Sequence, residues 1–195
     1  MKKFIIESIK VLFAMTLLTG VIYPLAMTGI VQLIFPHKAN GSLIKLNGKI
    51  VGSELIGQAF TDDKYFWPRP SATGYDALPS GASNYAITSD TLLKLTISRR
   101  KAFTRKNLLP SDSLVPPEMI YASGSGLDPH ISPEAAFLQI NRVASARHFN
   151  RAQKDELRKL VSSFIEHRQL GFLGESRVNV LLLNIALDTM TFSGK

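Results

Sequence analysis

The sequence contains no cysteine. Disulfides, thiolate nucleophiles and cysteine-based zinc sites are excluded, and this absence fits either side of a membrane. The four histidines, His37, His130, His148 and His167, show no ligand spacing, so no metal site is expected. No glycine-rich stretch is followed by Gly-Lys-Ser/Thr. Neither the turn around Ser123–Gly126 nor Gly171-Phe172-Leu173-Gly174 is therefore a P-loop, although backbone N–H groups in the first could hold an anion. Ser125, Asp128 and His130 suggest a membrane-anchored serine hydrolase. However, a nucleophile elbow needs G-x-S-x-G, and Ser125 is flanked directly by glycines. Three residues so close in sequence also seldom reach the relayed geometry of a triad. The sharpest absence is of charge: nothing ionised occurs between Val11 and Phe35.

That uncharged run, VLFAMTLLTGVIYPLAMTGIVQLIF, is 25 residues long. As a helix rising ~1.5 Å per residue it would reach about 38 Å, against a hydrocarbon core ~30 Å thick. Thirteen of its residues are Leu, Ile, Val or Phe. Together they favour insertion by about 4–8 kcal/mol, which Gln32 and Pro24 cannot offset. A cleaved signal peptide would have a shorter apolar region and a small-residue cleavage site, whereas this run ends in Pro36-His37-Lys38-Ala39-Asn40. The expectation is a retained transmembrane helix over 11–35.

Thr16, Gly20, Pro24, Thr28 and Gln32 recur every fourth residue. Four residues turn a helix by about 400°, so the row drifts slowly and stays a stripe. Small and weakly polar side chains along one stripe suit the close approach of another membrane helix. Pro24 removes the partner of the Gly20 carbonyl, so a kink is expected there.

The chain has 195 residues, which leaves one domain after the helix, over 36–195. Net charge is +8; the first ten residues hold three Lys and one Glu, leaving +6 on the rest. Positive charge is nearly balanced locally, with Lys2, Lys3 and Lys10 before the helix and Lys38, Lys45 and Lys49 after it. Long domains translocate largely regardless of charge. The reading is a cytoplasmic tail over 1–10, N-terminus inside, and an extracytoplasmic domain.

Within the domain, Ser42–Leu46, Asn47-Gly48 and Lys49–Val51 predict a β-hairpin, since Asn-Gly supplies the positive φ values of a two-residue turn. Thr61–Asn84 has no helical period and is long for a loop, yet Tyr65, Phe66, Trp67 and Tyr75 give it area to pack. Ser89 or Asp90 caps a helix to about Lys106, whose basic end reads as a solvated helix terminus. Pro116-Pro117 opens a short helix. Ser132 caps one to about His148 and Asn150 with Gln153 starts the next, with Leu157, Leu160, Val161, Phe164 and Ile165 on its apolar side. Asn179 caps a last, broadly apolar helix. The fold class expected is an α/β (α+β) domain anchored by a single N-terminal transmembrane helix.

Several motifs, in order, resemble the C subunit of the Kdp-type potassium-transporting P-type ATPase. They are Asn40–Ile44, Gly52–Gln58, Arg69–Ala72, Ser80–Asn84, Ala122–Pro133, Leu170–Glu175 and Val178–Leu181. Ala82 departs from the family's usual second glycine, and Ser98–Pro116 matches weakly. The resemblance covers nearly the whole chain. It implies an accessory, non-catalytic subunit in a bacterial cytoplasmic (inner) membrane that supports assembly and raises the hydrolysing subunit's affinity for ATP. Implied partners are a channel-like potassium-translocating subunit, an ATP-hydrolysing P-type subunit and a small single-helix peptide. ATP becomes a possible shared ligand, with no contact residue assignable. The phosphorylated Asp-Lys-Thr-Gly-Thr of P-type ATPases is absent, so this chain is not the hydrolysing subunit. A stand-alone anchored binding domain is the other alternative, and no nucleic-acid-reading motif is present.

Overall fold

The structure, a computed structural model, describes residues 2–190. The last five residues of the domain expected over 36–195 lie outside the described residues. The chain divides into two compact units, Met1–Val51 and Gly52–Lys195.

The first unit is led by one continuous helix, Lys2–Ile34, of 33 residues, long and apolar enough to cross a membrane. It comprises α1 (Lys2–Leu17), a π-turn (Leu18–Ile22) and α2 (Tyr23–Ile34). The charged segment before the apolar run is thus helical as well. The π-turn lies just before Pro24, where a kink is expected. Pro24 has no N–H to give Gly20, and the ladder widens just before it, with Tyr23 N–H reaching the carbonyl of Leu18. A short α3 (Pro36–Ala39) follows the helix break at Phe35. The predicted hairpin is present as β1 (Leu43–Leu46) and β2 (Lys49–Ser53), turning through Asn47 at φ 49° and Gly48 at φ 78°.

The second unit begins with a long irregular segment and then runs α4 (Asp90–Lys106), a 3₁₀ turn (Pro117–Met119), β3 (His130–Ile131), α5 (Pro133–Ala146), α6 (Arg151–Ser163), β4 (Ile165–Glu166), β5 (Arg177–Asn179) and α7 (Val180–Thr189). Local chemistry sets the helix starts. Ser89, Ser132 and Asn179 each accept an N–H three residues on, satisfying one orphan donor. Asn150 and Gln153 bond reciprocally in a capping box.

The short strands form an antiparallel sheet of order β3-β5-β4, with His130 opposite Asn179 and Ile165 opposite Val178. Here the structure corrects the sequence reading. The helix begun at Asn150 ends at Ser163 instead of carrying Ile165, and Ile165 pairs in the sheet. The helix begun at Ser132 ends at Ala146, short of His148, which takes φ +56°.

The core is built from Phe66, Ile131, Ile140, Val143, Leu157, Val161, Val178, Leu183 and Leu187, with partly buried Leu160, Phe164 and Ile165 against it. α7 buries Val180, Leu181, Leu183, Asn184 and Leu187, as its apolar breadth anticipates. Among the described residues the fold is therefore mixed α+β with small sheets, preceded by one long apolar helix.

Candidate functional site

The motifs that are scattered in sequence converge on one set of loops. Gly57 N–H donates to the Leu127 carbonyl at 2.7 Å, and Ser123 N–H donates to the Pro70 carbonyl at 3.1 Å. Asn179 reaches across to the Glu54 carbonyl, and Val180 N–H to that of Pro129. Gly126, at φ +72°, lies so close to Thr73 and Gly81 that a Cβ there would meet both within 2.9 Å. Stretches from Gly52–Gln58, Arg69–Ala72, Ala122–Pro133 and Val178–Leu181 thus form one joint.

An ion pair sits at that joint. Arg69 Nη1 lies 2.8 Å from Asp128 Oδ2, and Asp128 Oδ1 accepts from the His130 backbone N–H at 2.9 Å. The His130 imidazole Nδ1 is 3.6 Å from the same oxygen. Tyr75 fixes the other end of Arg69 by donating its hydroxyl to the Arg69 carbonyl at 2.6 Å, and burial pushes the Tyr75 phenol up to about 12. Burial also pushes the Asp128 carboxyl up. The bonds from His130, through side chain and backbone, and from Arg69 outweigh this and hold it at about 2. A polar hollow of about 320 Å³ opens beside the pair, lined also by Glu118, Ser132, Glu175 and Arg177. Its cations and carboxylates are nearly matched in number.

A pH prediction follows from the Asp128 value. The folded carboxyl lies below its ordinary 3.8, so it contributes stability above about pH 4 and loses it as pH falls towards about 2. The amount is on the order of 2 kcal/mol, reduced somewhat by partial exposure. Asp128→Asn should remove this increment. The urea midpoint of the wild type should then fall more steeply than the variant's between pH 4 and 2, and parallel curves would contradict the assignment.

The Ser125, Asp128 and His130 set is not assembled as a relay. Ser125 is exposed, and its Oγ accepts from Leu127 N–H at 3.1 Å; among the described residues it makes no hydrogen bond to His130. Part of the turn's hydrogen-bonding capacity is used internally. The N–H groups of Ser123, Gly126 and Leu127 already bond to Pro70 O, Ser123 O and Ser125 Oγ.

A second polar cluster lies inside the domain, and the sequence reading did not identify it. Asn184 pairs with both backbone groups of Phe66: Oδ1 accepts from its N–H at 2.8 Å and Nδ2 donates to its carbonyl at 3.0 Å. Gln139 does the same for Trp67, at 2.7 and 3.3 Å. These amides replace a β-ladder for an irregular strand of chain. Arg142 completes the cluster, donating to the carbonyls of Asp63 and Tyr65, to Gln139 Oε1 and to Asn107 Oδ1, and stacking 3.9 Å above the Trp67 ring. Burial lowers its pKa to about 10. Outside it, Tyr65 donates to Asp188, which also meets Arg147 at 2.5 Å, and the bond and burial raise the Tyr65 phenol above its ordinary value. The available signal was polar Gln139 and Arg142 on a helix that otherwise buries Ala135, Ala136, Ile140 and Val143.

The five residues of the helix stripe fall in three segments: Thr16 in α1, Gly20 in the π-turn, and Pro24, Thr28 and Gln32 in α2. A wider turn rotates less per residue, so the π-turn takes back part of the row's drift. Thr28 donates its hydroxyl to the Pro24 carbonyl at 2.8 Å. Thr28 and Gln32 line a hollow of about 290 Å³ with Met27, Val31 and Ala39. Among the described residues none of the helix is buried.

Among the described residues, one helix long and apolar enough to cross a membrane precedes an α+β domain whose interior polar groups hold its own long loop, the make-up of a chain with one candidate membrane span. The profile of the family described as "K+-transporting ATPase, c chain" matches residues 5–189, and the chain belongs to that family. Relatives that carry the name "Potassium-transporting ATPase KdpC subunit" include the following three. That of Leptospira interrogans is 47% identical over 182 residues, 93% of this chain and 92% of its own length. That of Caldanaerobacter subterraneus is 48% identical over 181 residues, again 93% and 92%. That of Dechloromonas aromatica is 48% identical over 197 residues, 98% of this chain and all of its own.

Proposed function

We propose that this chain is a non-catalytic accessory subunit of a high-affinity, ATP-driven potassium uptake complex in a bacterial cytoplasmic membrane. Its long helix crosses the bilayer with the N-terminus inside and packs on other membrane helices through Thr16, Gly20, Pro24, Thr28 and Gln32. Its domain lies outside. The partners are a channel-like potassium-translocating subunit, an ATP-hydrolysing P-type subunit and a small single-helix subunit. The chain supports their assembly and raises the hydrolysing subunit's affinity for ATP. Because ATP is cytoplasmic, that effect is transmitted through the membrane helices.

The observation that carries this reading is kinship at 47–48% identity, over nearly the whole chain, with proteins named as subunits of a potassium-transporting ATPase. The polar interior supports a role without chemistry of its own. Arg142, Gln139 and Asn184 are occupied in holding main chain, and Asp128 is occupied by Arg69 and His130.

Gly20→Leu tests the helix contact. A Cβ at Gly20 meets only Thr16 Cγ2, at 3.9 Å, so the helix itself tolerates the change. A branched side chain on a closely packed stripe would hold a neighbouring helix away. The variant should insert normally, yet recover about tenfold less partner in gentle detergent. Undiminished recovery would remove the stripe from the interface. Protease treatment of right-side-out spheroplasts should digest a tag placed after Lys195, and protection there would reverse the topology.

A further inference from the structure

The two long faces of α4 differ in kind. One carries Ala102 and Phe103 beside Trp67 and Pro70, along an apolar groove. The other overhangs a separate concavity of about 500 Å³. Arg100, Lys101 and Arg105 line this second hollow; Thr104 and Ser111 bring hydroxyls to it, and Ile97 and Leu109 form its apolar wall. Among the described residues no carboxylate lines it. Among the described residues none of the three cations forms an ion pair, although Lys106 next to them is paired with Asp63.

Cations near a helix C-terminus commonly serve its exposed carbonyls. That use is already filled here. The Phe103 carbonyl accepts from both the backbone N–H and the side chain of Asn107, that of Thr104 from Leu109 N–H, and that of Arg105 from Leu108 N–H. Among the described residues the three cations make one hydrogen bond, a long one, Arg100 Nη2 to the Ser113 carbonyl at 3.4 Å. Three like charges around one hollow, with no acid to balance them, repel one another and favour an anion between them. Guanidinium groups match phosphate oxygens in geometry, a lysine adds a point charge, and hydroxyls complete such a site.

We infer that the hollow between α4 and the Leu109–Ser111 turn binds a phosphate group, with Arg100, Lys101 and Arg105 as its ligands. The apolar wall leaves room for a substituent on the phosphate. The phosphate can come from an anionic lipid headgroup or from free phosphate, and the experiment separates them. This inference does not rest on the pump assignment.

The full chain in neutral detergent, ¹⁵N-labelled, is titrated with inorganic phosphate and separately with short-chain phosphatidylglycerol, at ~0.15 M salt to screen loose surface attraction. Saturable shifts confined to residues 97–111 are expected. Tighter binding of the lipid identifies a headgroup site, and equal binding of both identifies a free-phosphate site. The combined variant Arg100→Gln, Lys101→Gln, Arg105→Gln removes the charges but keeps polar side chains on exposed positions, and should weaken binding at least about tenfold. Absence of saturable shifts with both probes, or shifts unchanged in the variant, would overturn the inference.

Discussion

Arg142→Met should destabilise the domain by about 3–5 kcal/mol, among the larger effects of any single change in this chain. The guanidinium is buried and reaches two main-chain carbonyls and two side-chain amide oxygens at 2.6–3.0 Å. Methionine fills much of the volume but donates nothing, so four buried or partly buried acceptors each lose a strong partner and pay desolvation. Stacking on Trp67 is lost too. The damage should spread along the loop, because Gln139 Oε1 serves both Arg142 and Trp67 N–H. Chemical unfolding followed by fluorescence of Trp67, the only tryptophan, reads this directly. Arg151→Met, at an exposed position on α6, should change stability by no more than about 0.5 kcal/mol. Equal effects at the two positions would show that Arg142 does not hold the loop.

Gly57→Ala should cost about 1–3 kcal/mol, through space and not through backbone angle. A Cβ at Gly57 would lie 2.7 Å from the Asp128 carbonyl oxygen and 3.1 Å from that of Leu127. Both obstacles are backbone, so the two loops would have to part, stretching the 2.7 Å bond from Gly57 N–H to Leu127 O. Parting them also moves Asp128 relative to Arg69. The variant should therefore lose part of the acid-labile stability assigned to Asp128 as well as stability at neutral pH. Gly124→Ala, in the Ala122–Pro133 stretch that Gly57 packs against, meets nothing within 4 Å and should be nearly neutral. A Gly57→Ala protein as stable as Gly124→Ala would mean that the loops are not held as described.

What could be read from the sequence was what depends on near neighbours. Ser89, Ser132, Asn150 and Asn179 announce their helices because a cap and its donor lie within three residues. Asn47-Gly48 announces its hairpin for the same reason. The membrane-length helix is legible because lipid imposes length and apolarity on one contiguous run. The three-stranded sheet was not legible. Its strands are two or three residues long, too short for any periodicity, and pair residues as far apart as His130 and Asn179. The pair Arg69–Asp128 was visible as two motifs, but not as a contact spanning 59 positions. Gln139, Arg142 and Asn184 escaped because most of their partners are backbone groups of distant residues, which leave no signature in a sequence.

Beyond folding, the central claim is that this chain works as part of a larger transport machine. Co-purification tests it most directly. With a tag placed after Lys195 and gentle solubilisation of membranes from cells starved of potassium, a P-type ATPase chain and a potassium-translocating chain should be recovered with it in constant proportion. Recovery of the tagged chain alone, together with an intact and fully active potassium-transporting ATPase from cells that lack it, would contradict the account.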